Sequence, residues 1–205
     1  QPDNIACIDC SGGYQCNNPV TGPIQCLPGT YSNSITGATS CINCPAGFHC
    51  DEPYDRISGA CNNGYYSVDG QADCTIVPAG SKMKSDQSGI TVCESGTYSN
   101  NGATSCLSCP GGYDCTNPAS IIECDDGYYS EDGESLCTLC PAGYRCSDKS
   151  STPILCNEGQ YSIKGIEQCT DCPAGYHCNN STLLPVKCLP GQYSLGSATS
   201  CINCP

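Results

Sequence analysis

The chain holds no tryptophan, one phenylalanine, one methionine and two histidines in 205 residues, and Ile, Leu, Val and Phe together number 29. That apolar complement excludes a hydrophobic core of ordinary size. Combined with a formal net charge of -13, it would read as disorder if nothing else constrained the chain. Only seven residues are Lys or Arg, which excludes the basic patches that nucleic acids and anionic membrane surfaces demand. No apolar run approaches the roughly 18 to 20 residues of a membrane span, and a start at Gln1 without a signal-peptide pattern leads to the expectation of a mature or trimmed segment. His49 and His177 stand in no nucleophile context, so acid-base or covalent catalysis has no residue to carry it and no cofactor is implied.

Cysteine, by contrast, is abundant: 24 residues in one recurring phrase, clearest in Cys137-Thr-Leu-Cys140-Pro-Ala-Gly-Tyr-Arg-Cys146 followed by Cys156-Asn-Glu-Gly-Gln-Tyr-Ser. Four cysteine roles recur, filled in turn by Cys41, Cys44, Cys50 and Cys61. First-role cysteines fall at Cys7, Cys41, Cys74, Cys106, Cys137, Cys169 and Cys201, a spacing of 31 to 34 residues, which is the range of a solenoid or linear array. The repeats are therefore 7–40, 41–73, 74–105, 106–136, 137–168 and 169–200, with a seventh beginning at 201–205; the expectation is a window on a longer array. Each repeat is smaller than the roughly 40 residues at which burial alone stabilises a domain, so cross-links must fold it. Such cysteine density belongs to an oxidising compartment, outside the cell or on its surface.

The insert Pro45-Ala-Gly-Phe-His recurs as Pro141-Ala-Gly-Tyr-Arg and Pro173-Ala-Gly-Tyr-His; proline at i+1 and glycine at i+3 predict a type I turn. Gly-x-Tyr-Ser recurs at 29–32, 64–67, 96–99, 127–130, 159–162 and 191–194, with turn signals beyond it such as Asp69-Gly70, Asn101-Gly102, Asp132-Gly133 and Lys164-Gly165. Tyr-Ser, a type I′ turn and a short run to the next first-role cysteine predict one small β-hairpin per repeat. The remainder, such as Asn117-Pro-Ala-Ser-Ile-Ile-Glu before Cys124, reads as extended. No helical apolar period is present. The fold class is small disulfide-rich repeats: a linear, elongated array of short β-hairpins and turns with almost no helix, each repeat contacting its sequence neighbours.

The third repeat, Cys74-Thr-Ile-Val77-Pro-Ala-Gly-Ser-Lys-Met83, lacks the second and third cysteines together, which suggests that they bond together elsewhere. The predicted pairs are Cys10 with Cys16, Cys26 with Cys41, Cys44 with Cys50, Cys61 with Cys74, Cys93 with Cys106, and Cys109 with Cys115. They continue as Cys124 with Cys137, Cys140 with Cys146, Cys156 with Cys169, Cys172 with Cys178, and Cys188 with Cys201. The rival scheme, first with third and second with fourth, would force Cys74 onto Cys93. The predicted set leaves Cys7 and Cys204 unpaired within the chain, as candidates for bonds to a continuing array or another subunit.

Six Cys-x-x-Cys pairs invite a zinc reading, but further cysteines offer every sulfur except those of Cys7 and Cys204 a disulfide partner within the chain, so no metal is expected. Redox chemistry would need a helix terminus or basic neighbours, and neither is visible. Asp125-Asp126-Gly127 and Glu131-Asp132-Gly133-Glu134 could bind calcium weakly through carboxylates, although turn chemistry accounts for them better. Tyr14, Phe48, Tyr113, Tyr144 and Tyr176 recur at one position; with the Gly-x-Tyr tyrosines they are expected to cover disulfides rather than form a ligand ladder. His49 and His177 share a slot with Asp114 and Arg145, which reads as a solvated position. Asn179-Asn180-Ser181-Thr182 contains overlapping acceptor sequons at Asn179 and Asn180, so an N-linked glycan is expected at one of them, with room for O-glycans on Ser and Thr.

The run Cys188-Leu-Pro-Gly-Gln-Tyr-Ser to Cys201-Ile-Asn-Cys204 resembles the ephrin-receptor-like cysteine-rich repeats and the first submodule of tumour necrosis factor receptor modules. The resemblance covers nearly the whole chain and implies a bond between Cys188 and Cys201. It implies no ligand contacts, because the second receptor submodule is replaced here by the five-residue clip. Similar arrays occur in surface proteins of protists and algae, including mastigoneme-type filament proteins. The sameness of the repeats points to an extracellular structural glycoprotein, a stalk, coat or filament subunit that self-associates. The alternative is a receptor or adhesion ectodomain binding a protein ligand, with Lys82, Met83 and Lys84 of the irregular third repeat as the place to look.

Overall fold

The computed structural model of the chain describes residues 10–18, 20–33 and 37–205. Among these residues there is no helix, and twenty-four strands of two or three residues pair into twelve antiparallel two-stranded hairpins. The chain divides into two compact units, residues 1–93 with 99–106, and residues 94–98 with 107–205. Five hairpins belong to the first and seven to the second.

The repeating structural element is half the length of the cysteine repeat. Strand Phe48–His49, after the Pro-Ala-Gly clip, pairs with Gly59–Ala60, and strand Tyr65–Tyr66, from Gly-x-Tyr-Ser, pairs with Thr75–Ile76. Each cysteine repeat thus builds two hairpins. The segment before Cys124, expected to be extended, supplies Ile122–Glu123 as the partner of Tyr113–Asp114. The strand Tyr113–Asp114 lies across a loop that carries no Asn-Gly or Asp-Gly signal, so local sequence does not mark it as the partner of Ile122–Glu123.

Superposing the two kinds of hairpin in sequence brings Cys10, Cys26, Cys44, Cys61, Val77, Cys93, Cys109, Cys124, Cys140, Cys156, Cys172, Cys188 and Cys204 to one position, 15 to 18 residues apart. From Cys26 onward the backbone N–H at this position donates to the carbonyl of the glycine that turns the preceding hairpin, over 2.7 to 2.9 Å. Val77 keeps that bond to Gly64 at 2.9 Å and is fully buried. The backbone therefore holds this register even where the sulfur is missing.

The turn chemistry differs from expectation. Phe48 N–H donates to the carbonyl of Pro45 at 3.2 Å and Gly47 has φ of +83°, so the clip is a type II turn with proline at i and glycine at i+2, not type I with proline at i+1. Gln71 N–H likewise donates to Val68 at 3.1 Å with Gly70 at φ +78° while Asp69 stays at negative φ, which is again type II rather than I′. A tight I′ turn would have to join the strands directly; here Asp69-Gly70 sits inside a longer connection and its glycine N–H donates instead to the carbonyl of Cys44 at 2.8 Å.

The interior is sulfur and serine. Among the described residues the buried apolar ones apart from cysteines are Tyr31 and Val77, while Ser32, Ser67, Ser81, Ser99, Ser130, Ser162 and Ser194 are buried. Tyr31 packs on Cys44 and Cys50 with Tyr54 and Ile57 beside them, as the reading of tyrosine as a disulfide cover anticipates. Phe48, Tyr65, Tyr128 and Tyr193 are exposed. The aliphatic residues that a globular protein would bury lie outside, among them Ile24, Ile42, Leu107, Ile122, Leu184 and Ile202.

Candidate functional site

The eleven bridges join Cys10 to Cys16, Cys26 to Cys41, Cys44 to Cys50, Cys61 to Cys74, Cys93 to Cys106, and Cys109 to Cys115. The remainder join Cys124 to Cys137, Cys140 to Cys146, Cys156 to Cys169, Cys172 to Cys178, and Cys188 to Cys201. Short clips of separation six alternate with larger bridges of separation 13 or 15, except that Cys61–Cys74 and Cys93–Cys106 follow each other across the third repeat. Cys204 is a free, exposed thiol, and Cys7 lies outside the described residues.

Between the bridges runs a serine relay that residue-by-residue reading missed. In each Gly-x-Tyr-Ser the serine hydroxyl donates to a carbonyl of the preceding hairpin: Ser32 to Tyr14, Ser67 to Phe48 and Ser99 to Ser81 in the first unit. Ser130 to Tyr113, Ser162 to Tyr144 and Ser194 to Tyr176 repeat it in the second. The same serines return a carbonyl to that hairpin, accepting the N–H of Gly13, Gly47, Gly80, Gly112, Gly143 and Gly175 at 3.0 to 3.1 Å. A buried hydroxyl can stay in so sulfur-rich an interior only with such a partner. The signal was present, since Ser closes the phrase in all six copies.

The third repeat is the irregular place. Without its clip, the hairpin Ser81–Met83 with Ile90–Val92 lengthens to three residues per strand, Met83 facing Ile90. Its loop closes on itself: Gln87 N–H donates to Lys84 at 2.9 Å, and Gln87 Nε2 reaches the carbonyl of Cys61 at 2.7 Å. An open groove of about 740 Å³ lies against it, lined by Lys82, Met83, Lys84, Asp86, Thr91 and Asn63 among others. The hydroxyl and then the N–H of Ser88 hold the Asp86 carboxyl below the usual range, and the Lys84 charge adds to this. Lys82 and Lys84 are two of only seven basic residues in the chain.

The acidic runs serve turns and one ion pair. Asp132 accepts from Gly111 N–H at 2.7 Å and Glu134 from Glu131 N–H at 3.0 Å. Lys149 Nζ lies 3.0 Å from Asp126 and 3.4 Å from Glu123, and donates to the carbonyl of Cys124 at 2.8 Å. Asp126 above all, with Glu123, raises the Lys149 pKa. The shared histidine slot is not uniformly solvated. Both histidines are half-buried, His49 with its Nδ1 3.1 Å from Asp51 and His177 with its Nδ1 3.3 Å from Cys201 Sγ, while Arg145 in the same slot is exposed. His177, Cys188 and Cys201 are the one group of three potential metal ligands among the described residues, but Cys188 and Cys201 are bonded to each other, and a disulfide sulfur is not the thiolate that a metal needs.

Asn179 and Asn180 are both exposed. They differ in surroundings. Asn180 Oδ1 accepts from Thr182 N–H and Oγ–H at 2.9 and 2.8 Å, while Asn179 lines a cleft of about 470 Å³ with Leu155, Glu158, Ser181 and Thr199. Among the described residues no helix is long and apolar enough to cross a membrane. No protein-family model matches the chain, and no curated protein matches it either.

Proposed function

We propose that this chain is an extracellular structural protein, a disulfide-clamped rod of hairpins serving as stalk, coat or filament subunit, self-associating and glycosylated. The observation that carries the reading is the backbone bond that every hairpin from Cys26 onward repeats, from the N–H of the residue closing it to the carbonyl of its glycine. Among the described residues no hydrogen bond joins positions more than 28 apart, so stability is assembled from neighbour to neighbour, as in repeat proteins that extend without a closed core. Eleven disulfides suit an oxidising compartment. Exposed aliphatic residues on the second strands of several hairpins, such as Ile24, Ile42 and Ile76, offer surface for packing against further copies. The likeness to ephrin-receptor-like and tumour necrosis factor receptor-like repeats, and through them to mastigoneme-type filament proteins, belongs to this proposal, as does the absence of a catalytic role. Electron microscopy of the native material tests it: ordered fibres or sheets are expected, and dispersed particles without self-contact would sink it.

A receptor or adhesion ectodomain is the second reading, favoured by the groove beside Lys82 and Lys84. Its mark would be saturable binding of a protein partner that the pair of substitutions Lys82→Glu and Lys84→Glu abolishes while the fold persists.

A further inference from the structure

One slot of the array, two residues beyond the third-role cysteines Cys16, Cys115, Cys146 and Cys178, turns the chain with a side-chain oxygen, whereas after Cys50 it holds Glu52, which accepts from Gln25 instead. Asn18 accepts from Val20 N–H at 2.8 Å, Asn117 from Ala119 N–H at 3.1 Å, Asp148 from Ser150 N–H and Oγ–H at 3.0 and 2.7 Å, and Asn180 from Thr182 in the same double manner. In every case the work is done by the oxygen, and an aspartate serves as well as an asparagine. The amide nitrogen of the asparagine is spare.

We infer that Asn180 is the N-glycosylated residue of this chain and that Asn179 is not. At Asn18 and Asn117 a proline follows, which removes the acceptor sequence, and at Asp148 there is no amide; at Asn180 the following residue is Ser181 and the next is Thr182. The slot therefore becomes an acceptor once, in the sixth repeat, with the Thr182 hydroxyl already on the carboxamide. That contact spans two residues and needs no disulfide, so it is open to the chain before the bridges close. In the transfer, Nδ2 of Asn180 attacks the anomeric carbon of an oligosaccharide carried on a lipid pyrophosphate. The new bond is carbon to Nδ2, the bond from that carbon to the pyrophosphate oxygen breaks, Nδ2 gives up one proton, and the lipid pyrophosphate leaves. Oδ1 is untouched, so both bonds from Thr182 survive in the product.

Asn179 is placed differently. Its sequon depends on Ser181, whose carbonyl accepts Ser162 N–H at 3.1 Å and whose Oγ would stand 3.0 Å from a Cβ on Gly143. Ser181 is half-buried beside Gly143, which Thr182 approaches through its methyl group while its hydroxyl stays on Asn180, and a sugar on the exposed Asn179 would stand beside the cleft that Cys178 and Thr199 line.

The inference rests on the extracellular reading, and the experiment separates the two. The 205-residue chain is exported from a eukaryotic host behind a secretion signal, and its sugar is removed with an amidase that converts the glycosylated asparagine to aspartate. Tandem mass spectrometry should find that conversion at position 180 alone. Asn180→Asp, which keeps the turn as Asp148 does, should be exported with its bridges formed and without sugar, and Asn179→Asp should retain the sugar in full. Sugar on Asn179, on both residues, or on neither in an exported and oxidised chain would overturn the assignment while leaving the extracellular reading intact. A chain that is neither exported nor oxidised would overturn both.

Discussion

The hydroxyl of Ser67 donates to the carbonyl oxygen of Phe48 at 2.7 Å, nineteen residues earlier in the chain. Ser67 is completely buried, and its own carbonyl accepts Gly47 N–H at 3.0 Å. Two hairpins are thereby locked by a side chain and a backbone group of one residue. Ser67→Ala removes the donor and leaves the part-buried carbonyl of Phe48 short of a partner, which costs about 1 kcal/mol. Denaturant unfolding with the bridges intact should show that loss, and a change at exposed Ser85 should show almost none.

Gly29 and Gly22 both have positive φ, +83° and +74°, so alanine is strained at either by about 1 to 2 kcal/mol. A Cβ on Gly22 meets nothing within 4 Å, whereas one on Gly29 collides with the carbonyl of Gly70. Gly29→Ala should therefore destabilise clearly more than Gly22→Ala. Equal losses would mean that the close approach of the two turns contributes nothing.

Val77 and Met83 occupy the positions of Cys44 and Cys50, six residues apart in each case. The backbone register at Val77 matches that of the cysteines, by its bond to Gly64. The double change Val77→Cys and Met83→Cys should close a twelfth bridge, adding about 2 kcal/mol in the chain-entropy model. Intact mass without reductant should show the loss of two hydrogens, and unfolding should shift to higher denaturant. The same pair of changes should narrow the groove beside Lys82.

The Ser150 and Ser151 hydroxyls, and then the Ser150 N–H, donate to Asp148 and hold its carboxyl at about 2. A depressed folded-state pKa contributes stability that is present above the ordinary carboxylate value and is lost as pH falls through the folded one. The turn at Asp148 should therefore persist from neutral pH down to about 3 and loosen near 2. The carbon resonance of the Asp148 carboxyl, followed by NMR against pH, should titrate with its midpoint near 2, and Asp148→Asn should leave the turn insensitive to acid.

Much of this protein is legible from local spacing. The hairpin after Gly-x-Tyr-Ser and the lack of helix follow from short-range chemistry, because the strands, turns and bridge partners concerned lie 6 to 15 residues apart. The hairpin that follows the clip in each repeat, the half-length period and the serine relay are decided by the tertiary structure. Their physical reason is that Cys50 and Ser67 occupy one backbone position with unlike side chains, one closing a clip and the other donating to Phe48. Residue identity conceals that equivalence, and only the bonds between hairpins disclose it. The same holds for the aliphatic residues: composition counts them, but their placement outside follows from bridges and buried serines already filling the narrow space between two-stranded hairpins.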